Sequence, residues 1–228
     1  MTTNSTHLLP AIERETGVRP THSILWMHGL GADGNDFVPI VDELALPPTR
    51  HIRFVFPHAP MRPVSINGGA VMRAWYDYDL IDPNSGLHEN MASLHDSQAA
   101  IEALIAREKR RGIDPENIVL AGFSQGGALA LQTGLRHPEK LAGIMALSCN
   151  LPAPQTLASE AHRVNLATSI FMAHGDIDNV IPMIVAAASR RQLLESGYTV
   201  EWRGYPMAHS VCKEEIADIG KWLKRVLL

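Results

Sequence analysis

The chain has 228 residues, 46% apolar and 19% charged, with a formal charge of −4 at pH 7. That composition predicts a folded chain with a substantial core and excludes disorder along its length, and the charge gives no support to a broad nucleic-acid or anionic-membrane surface. Cys149 and Cys212 are the two cysteines, which excludes a disulfide-rich scaffold or a four-cysteine zinc site, and no apolar run approaches the roughly 18–20 residues a membrane span needs.

Met1–His7 lacks a basic start, an apolar signal region and a glycine at position 2, so a cytoplasmic protein is expected. Strands are predicted at Ser23–Met27, Ile52–Phe56, Val71–Tyr76, Ile118–Ala121, Leu141–Leu147, Ser169–Ala173 and Thr199–Arg203. Helices are predicted at Asp36–Leu44, Met91–Arg111, Gly126–Arg136, Ile184–Glu195 and Lys213–Val226. The alternation implies an α/β fold, a mostly parallel sheet with helices on both faces. Leu94, Ile101, Leu104 and Ile105 give the second helix one apolar stripe. Its basic last turn, Arg107 to Arg111, reads as a solvated helix end, with Gly112 as the left-handed cap. Residues Pro57 to Asn90, rich in proline and holding Gly68-Gly69, read as a long excursion with one short strand. No linker interrupts the chain, so residues 1–228 are expected to form a single domain.

The strongest local pattern is Ile118-Val119-Leu120-Ala121-Gly122-Phe123-Ser124-Gln125-Gly126-Gly127. An apolar strand runs into Gly-x-Ser-x-Gly and a helical segment follows, the order of a nucleophile elbow. Glycines on either side of Ser124 remove side chains where strand and helix approach, and the helix start favours negative charge near the hydroxyl.

A serine hydroxyl needs a base, and histidine has a pKa suited to the task. Of the histidines, His209 lies after the last strand and before the C-terminal helix, where a hydrolase sheet carries its base. The acid should fall between them. His174-Gly175-Asp176-Ile177-Asp178 follows a strand and offers two carboxylates, Asp176 and Asp178. An oxyanion needs prearranged donors. One is the N–H of Gln125, and the other is assigned to Leu30 in the glycine-rich loop Met27-His28-Gly29-Leu30-Gly31-Ala32-Asp33-Gly34. That loop lacks the Lys-Ser/Thr ending of a phosphate loop. It fits Gly-x-Gly-x-x-Gly, but no acidic residue ends a second strand at the required distance. Met207, beside His209, is a candidate for lining the substrate groove or for packing.

Taken together, Gly122 to Leu129 resembles the phospholipase/carboxylesterase family, which includes acyl-protein thioesterases. So do His28-Gly29-Leu30-Gly31, Ala74-Trp75-Tyr76-Asp77, Leu141-Ala142-Gly143, Leu147-Ser148-Cys149, His174 to Asp178 and His209-Ser210. The resemblance runs from about Ser23 to Leu228. It implies an α/β-hydrolase fold with a minimal lid, a Ser124–Asp178–His209 triad, no cofactor and no metal. The family's Gly-x-x-Asp-x-x-x-Pro pattern selects Asp178 over Asp176. Trp75 matches the segment bordering the acyl groove, and a homodimer through the groove edge is plausible for the family. Asn150 stands where many eukaryotic thioesterase relatives carry an aromatic residue, which points to a shortened or opened groove.

The expectation is a carboxylesterase acting on small ester or thioester substrates of short to medium acyl length. The alternatives are a long-chain acyl-protein thioesterase or lysophospholipase and, from another class, a vestigial acyl- or protein-binding module. A metal hydrolase would need clustered ligands, and no His-x-x-x-His or paired-cysteine motif is present.

Overall fold

The computed structural model describes residues 8–79 and 88–227. Met1–His7 and part of the predicted excursion fall outside them. In chain order the elements are β1 (Ala11–Glu15), β2 (His22–Met27), α1 (Ile40–Glu43), β3 (Ile52–Pro57), β4 (Met61–Val64), β5 (Ala70–Arg73), β6 (Tyr78–Asp79), β7 (His88–Glu89) and α2 (Met91–Arg110). Then come β8 (Ile118–Phe123), α3 (Gln125–Arg136), β9 (Gly143–Leu147), α4 (Leu157–Glu160), β10 (Ser169–Gly175), α5 (Met183–Glu195), β11 (Val200–Tyr205) and α6 (Lys213–Val226).

Seven strands form one sheet in the order β1-β3-β2-β8-β9-β10-β11. β1 pairs antiparallel with β3, and the other pairings are parallel. Parallel strands buried on both faces read as continuous apolar runs. Alternation then sorts their side chains. Leu25, Met27, Leu120, Ile144 and Met172 face the core under α2, α3 and α5. Ile24, Trp26, Val119, Ala121, Met145 and Phe171 face the core under α1 and α6. Each large apolar side chain so buried contributes about 1.5–3 kcal/mol relative to exposure.

α2 starts at Asn90, whose side chain accepts from Ser93 N–H at 3.0 Å, which satisfies one orphan donor of the first turn. It ends before Gly112, at φ +90°, the left-handed cap expected there. Its basic end is not simply solvated. Arg107 and Arg111 both reach Glu13 on β1 at 2.9 Å. Arg111 also reaches Glu108, whose carboxylate is fully buried against Arg53 at 2.8 Å.

Other expectations shift in detail. The predicted strand Val71–Tyr76 is shorter and lies outside the main sheet. β5 pairs with β4 as a separate hairpin, with Met61 opposite Arg73. The predicted helix Asp36–Leu44 is helical only at α1, preceded by turns.

Candidate active site

β8 runs into the turn that carries Ser124, the candidate nucleophile. Ser124 adopts φ 54°, ψ −122°, a conformation that costs a non-glycine residue about 1–3 kcal/mol and persists only where its surroundings enforce it. Here its N–H donates to Leu147 O at 2.8 Å and its carbonyl accepts from Ala128 N–H at 3.0 Å. The turn also demands glycine around it. A Cβ on Gly122 would sit 2.2 Å from Gly126 O, and one on Gly126 would sit 2.4 Å from Met27 O. The Gly29 loop lies against the same turn at a looser distance, since a Cβ on Gly29 would sit 3.5 Å from Ser124 Cβ.

The other two side chains come from the ends of β10 and β11, which are pressed together. A Cβ on Gly175 would lie 2.3 Å from Met207 O, while Asp176 N–H donates to Tyr205 O at 2.7 Å and Ile177 N–H to Met207 O at 3.2 Å. Asp178 is buried and Asp176 is exposed. Asp178 Oδ1 accepts from Val180 N–H at 2.8 Å and from Ile181 N–H at 2.9 Å. Its Oδ2 lies 2.7 Å from His209 Nδ1. Burial works to raise the Asp178 pKa, but the His209 hydrogen bond and the two backbone donors outweigh it and hold the carboxyl below its ordinary value. The acceptor carboxylate places the hydrogen on Nδ1 and leaves His209 Nε2 as the basic nitrogen. The imidazole is half-buried and rests on Phe123, the residue before Ser124, with ring centroids 4.7 Å apart.

The loop carrying Leu30 is braced from beneath. His28 Nδ1–H donates to Gly29 O at 2.7 Å, and its Nε2 accepts from Ala59 N–H at 3.1 Å. Burial lowers the His28 pKa, which keeps the ring neutral in that tautomer. Trp75 Nε1–H donates to His28 O at 2.8 Å. The Gln125 side chain then closes the frame, accepting from Trp75 N–H and donating to Tyr76 O, both at 2.7 Å. Among the described residues, the N–H groups of Leu30 and Gln125 enter no turn or loop hydrogen bond. They are therefore free to receive an anion.

Trp75 is placed differently from the groove position expected of it. It is fully buried, because its indole N–H and its backbone both have partners beneath the Leu30 loop. Met207 is about nine-tenths buried and packs with the core on the α6 side. Asn150, half-buried, does reach a cavity. Its amide donates to Glu89 Oε1 at 2.9 Å, inside a cleft of about 500 Å³ between β6, β7, the end of β9 and α5. Sequence reasoning used only the backbone of Gln125 and missed its side chain, together with the bracing role of His28. A polar side chain opening a helix that is buried on every side was the available signal for Gln125.

A sequence profile described as Phospholipase/Carboxylesterase matches residues 10–227. The chain is 38% identical over 223 residues to an acyl-protein thioesterase 1 of Neurospora crassa, covering 95% of this chain and 89% of that one. It is 35% identical over 221 residues to a probable carboxylesterase of Oryza sativa subsp. japonica, covering 96% and 83% respectively. The crystal structure of Arabidopsis thaliana SOBER1 superposes with a TM-score of 0.84 at 33% identity, over 91% of this chain and 99% of that one. The sheet, the helices on both its faces and these likenesses are those of an α/β-hydrolase, and the chain belongs to the phospholipase/carboxylesterase family.

Proposed function

We propose that this enzyme hydrolyses carboxylic esters of short to medium acyl chains, with Ser124 as nucleophile, His209 as base and Asp178 as its orienting carboxylate. The observation that carries the reading is the 2.7 Å contact between Asp178 and His209, set against the residue that precedes the strained serine. Ser124 Oγ attacks the acyl carbonyl carbon while His209 Nε2 takes its proton. The developing oxyanion accepts from Leu30 and Gln125 N–H. Collapse breaks the bond to the alcohol, which leaves with the proton from His209. Water, deprotonated by the same nitrogen, then releases the acid and restores Ser124. Among the described residues no hydrogen bond joins Ser124 Oγ to His209. Such contacts commonly tighten only when substrate is bound.

Asn150 supports the shorter acyl length. Its amide and Glu89 put polar and anionic groups in a cleft that Ser124 and His209 do not line, so an acyl chain long enough to run from the serine into that cleft would have to desolvate both. The likeness to acyl-protein thioesterases favours the second reading, in which long-chain thioesters are cleaved at the same serine. A chain-length series of p-nitrophenyl esters and acyl thioesters, run on wild type and Ser124→Ala, decides between them. Activity lost in the variant and peaking at short or medium esters is expected. A peak at long thioesters would transfer the assignment to the thioesterase. Activity that survives Ser124→Ala would remove the serine from the mechanism, and no turnover by wild type on any member would leave a binding module.

A further inference from the structure

Behind the proposed triad a second imidazole faces the same carboxylate. His174, next to the last residue of β10, is fully buried. Its Nε2 lies 2.8 Å from Ile181 O and 3.4 Å from Asp178 Oδ2. A carbonyl only accepts, so Nε2 carries the hydrogen and gives it to Ile181 O, while Asp178 Oδ2 at 3.4 Å is an electrostatic neighbour of the same N–H rather than its hydrogen-bond partner. Nδ1 is buried with no partner among the described residues. The ring lies nearly parallel to Trp202, 9° off with centroids 6.4 Å apart, and the Arg190 guanidinium stands 5.8 Å from that indole.

An unpaired buried nitrogen costs stability that a hydrocarbon side chain of similar size would not. The use of histidine here must therefore lie in Nε2–H. Ile181 N–H donates to Asp178 Oδ1 at 2.9 Å, and His174 spans the Ile181 carbonyl and Oδ2. The carboxylate is thus hydrogen-bonded directly to Ile181, and the imidazole holds Ile181 from its carbonyl side while standing 3.4 Å from Oδ2. The closed ring of contacts fixes the rotation that presents Oδ2 to His209.

We propose that His174 is a positioning residue for the hydrolysis, its Nε2–H clamping the Asp178–Ile181 turn so that the carboxylate stays aimed at His209 Nδ1. The inference rests on the triad reading above.

The test compares wild type with His174→Phe, which keeps a ring on Trp202 but has no donor, and with His174→Gln, whose amide N–H reaches a similar position. Ser124→Ala is the control. Each is assayed on p-nitrophenyl butyrate for kcat, KM and the pH profile of kcat/KM, together with Tm and the low-field proton resonance of His209 Nδ1–H. His174→Phe should lower kcat by about 10- to 100-fold, the scale of a misplaced catalytic group, with KM within about twofold. The acid limb of kcat/KM should move to lower pH, because a turned carboxylate stabilises the imidazolium less. The low-field resonance should shift or broaden. His174→Gln should return kcat to within about threefold and restore the limb.

A folded His174→Phe with wild-type kcat overturns the proposal. So does a loss of kcat with an unmoved limb and resonance, or a Gln variant no better than Phe. If His174→Phe does not fold, His174→Leu replaces it under the same criteria, and failure of both beside a stable Gln variant makes the donor a folding requirement and overturns the positioning role. Activity retained in Ser124→Ala would instead sink the triad reading, whatever the His174 variants do.

Discussion

Asp178 and His209 meet from the ends of two adjacent parallel strands, and their 2.7 Å contact joins residues 31 positions apart in the chain. Asp176, two residues before Asp178, is exposed, and its side chain makes no hydrogen bond among the described residues. Asp178→Asn keeps the shape but puts an amide where an acceptor is needed, which favours the wrong imidazole tautomer. It should lower kcat by about 10⁴-fold, whereas Asp176→Asn should stay within about threefold. Steady-state kinetics on one soluble ester checks both, and the reverse ranking would assign the orienting role to Asp176.

Glu215 lies in the first turn of α6, fully buried, with neither carboxylate oxygen hydrogen-bonded among the described residues. Burial pushes its pKa up to about 8. The folded chain therefore holds a proton that the unfolded chain gives up near pH 4.5. Between those values the unfolded state binds fewer protons, so stability falls as pH rises. Glu215→Gln removes this titration. Its Tm should exceed that of wild type by a widening margin from pH 5 to pH 8, and a margin that stays constant across that range would contradict a neutral Glu215.

The Gln125 side chain holds the strand-free segment around Trp75 against the nucleophile helix. Gln125→Ala leaves a buried N–H and a buried C=O unpaired, at about 1–3 kcal/mol each. It also releases the floor of the Leu30 loop, since Trp75 carries the hydrogen bond to His28 O. Denaturant melts should show a loss of about 2–6 kcal/mol, and kcat should fall in the fraction that remains folded. An unchanged melting midpoint would mean that water replaces the amide.

The turn at Ser124 was legible because most of its signal is local. Gly122, Ser124 and Gly126 sit within five positions, and Gly122 is required by Gly126 in the same turn, although Gly126 answers to the distant Met27 and His28 carbonyls. The burial of Trp75 was hidden for the opposite reason. Val71–Tyr76 has the composition of a strand, but the chain leaves β5 after Arg73 to cross beneath the Leu30 loop, and that crossing depends on His28 and Gln125, 47 and 50 positions away. The place of His174 was equally hidden. Its contact with Ile181 exists only because the chain turns back after β10, so nothing in the run His174 to Asp178 marks the histidine apart from its neighbours.

β1 escaped the sequence reading because Ala11-Ile12-Glu13-Arg14-Glu15 has little apolar alternation to mark it. Its antiparallel ladder with β3 is reinforced by charge. Arg53 on β3 bonds both Glu15, at 2.8 Å, and the fully buried Glu108, at 2.8 Å, while Arg107 and Arg111 bind Glu13. Exposed members of such a network contribute about 0–1 kcal/mol apiece, but Glu108 neutralises Arg53 away from water. Removing it leaves Arg53 with Glu15, which is exposed, as its remaining close partner, and costs about 2–3 kcal/mol, less than a fully stranded ion. Glu108→Ala should therefore destabilise the chain by that amount, and Glu13→Ala by about 1 kcal/mol. Arg53→Met combined with Glu108→Leu removes both charges at once and should recover most of the loss, because the penalty belongs to the under-compensated buried ion rather than to the missing pair. Hydrogen exchange would locate the effect, with faster exchange of β1 amides in Glu108→Ala than in the double variant. Equal destabilisation of the two would show that the ion pair itself holds β1 to the sheet.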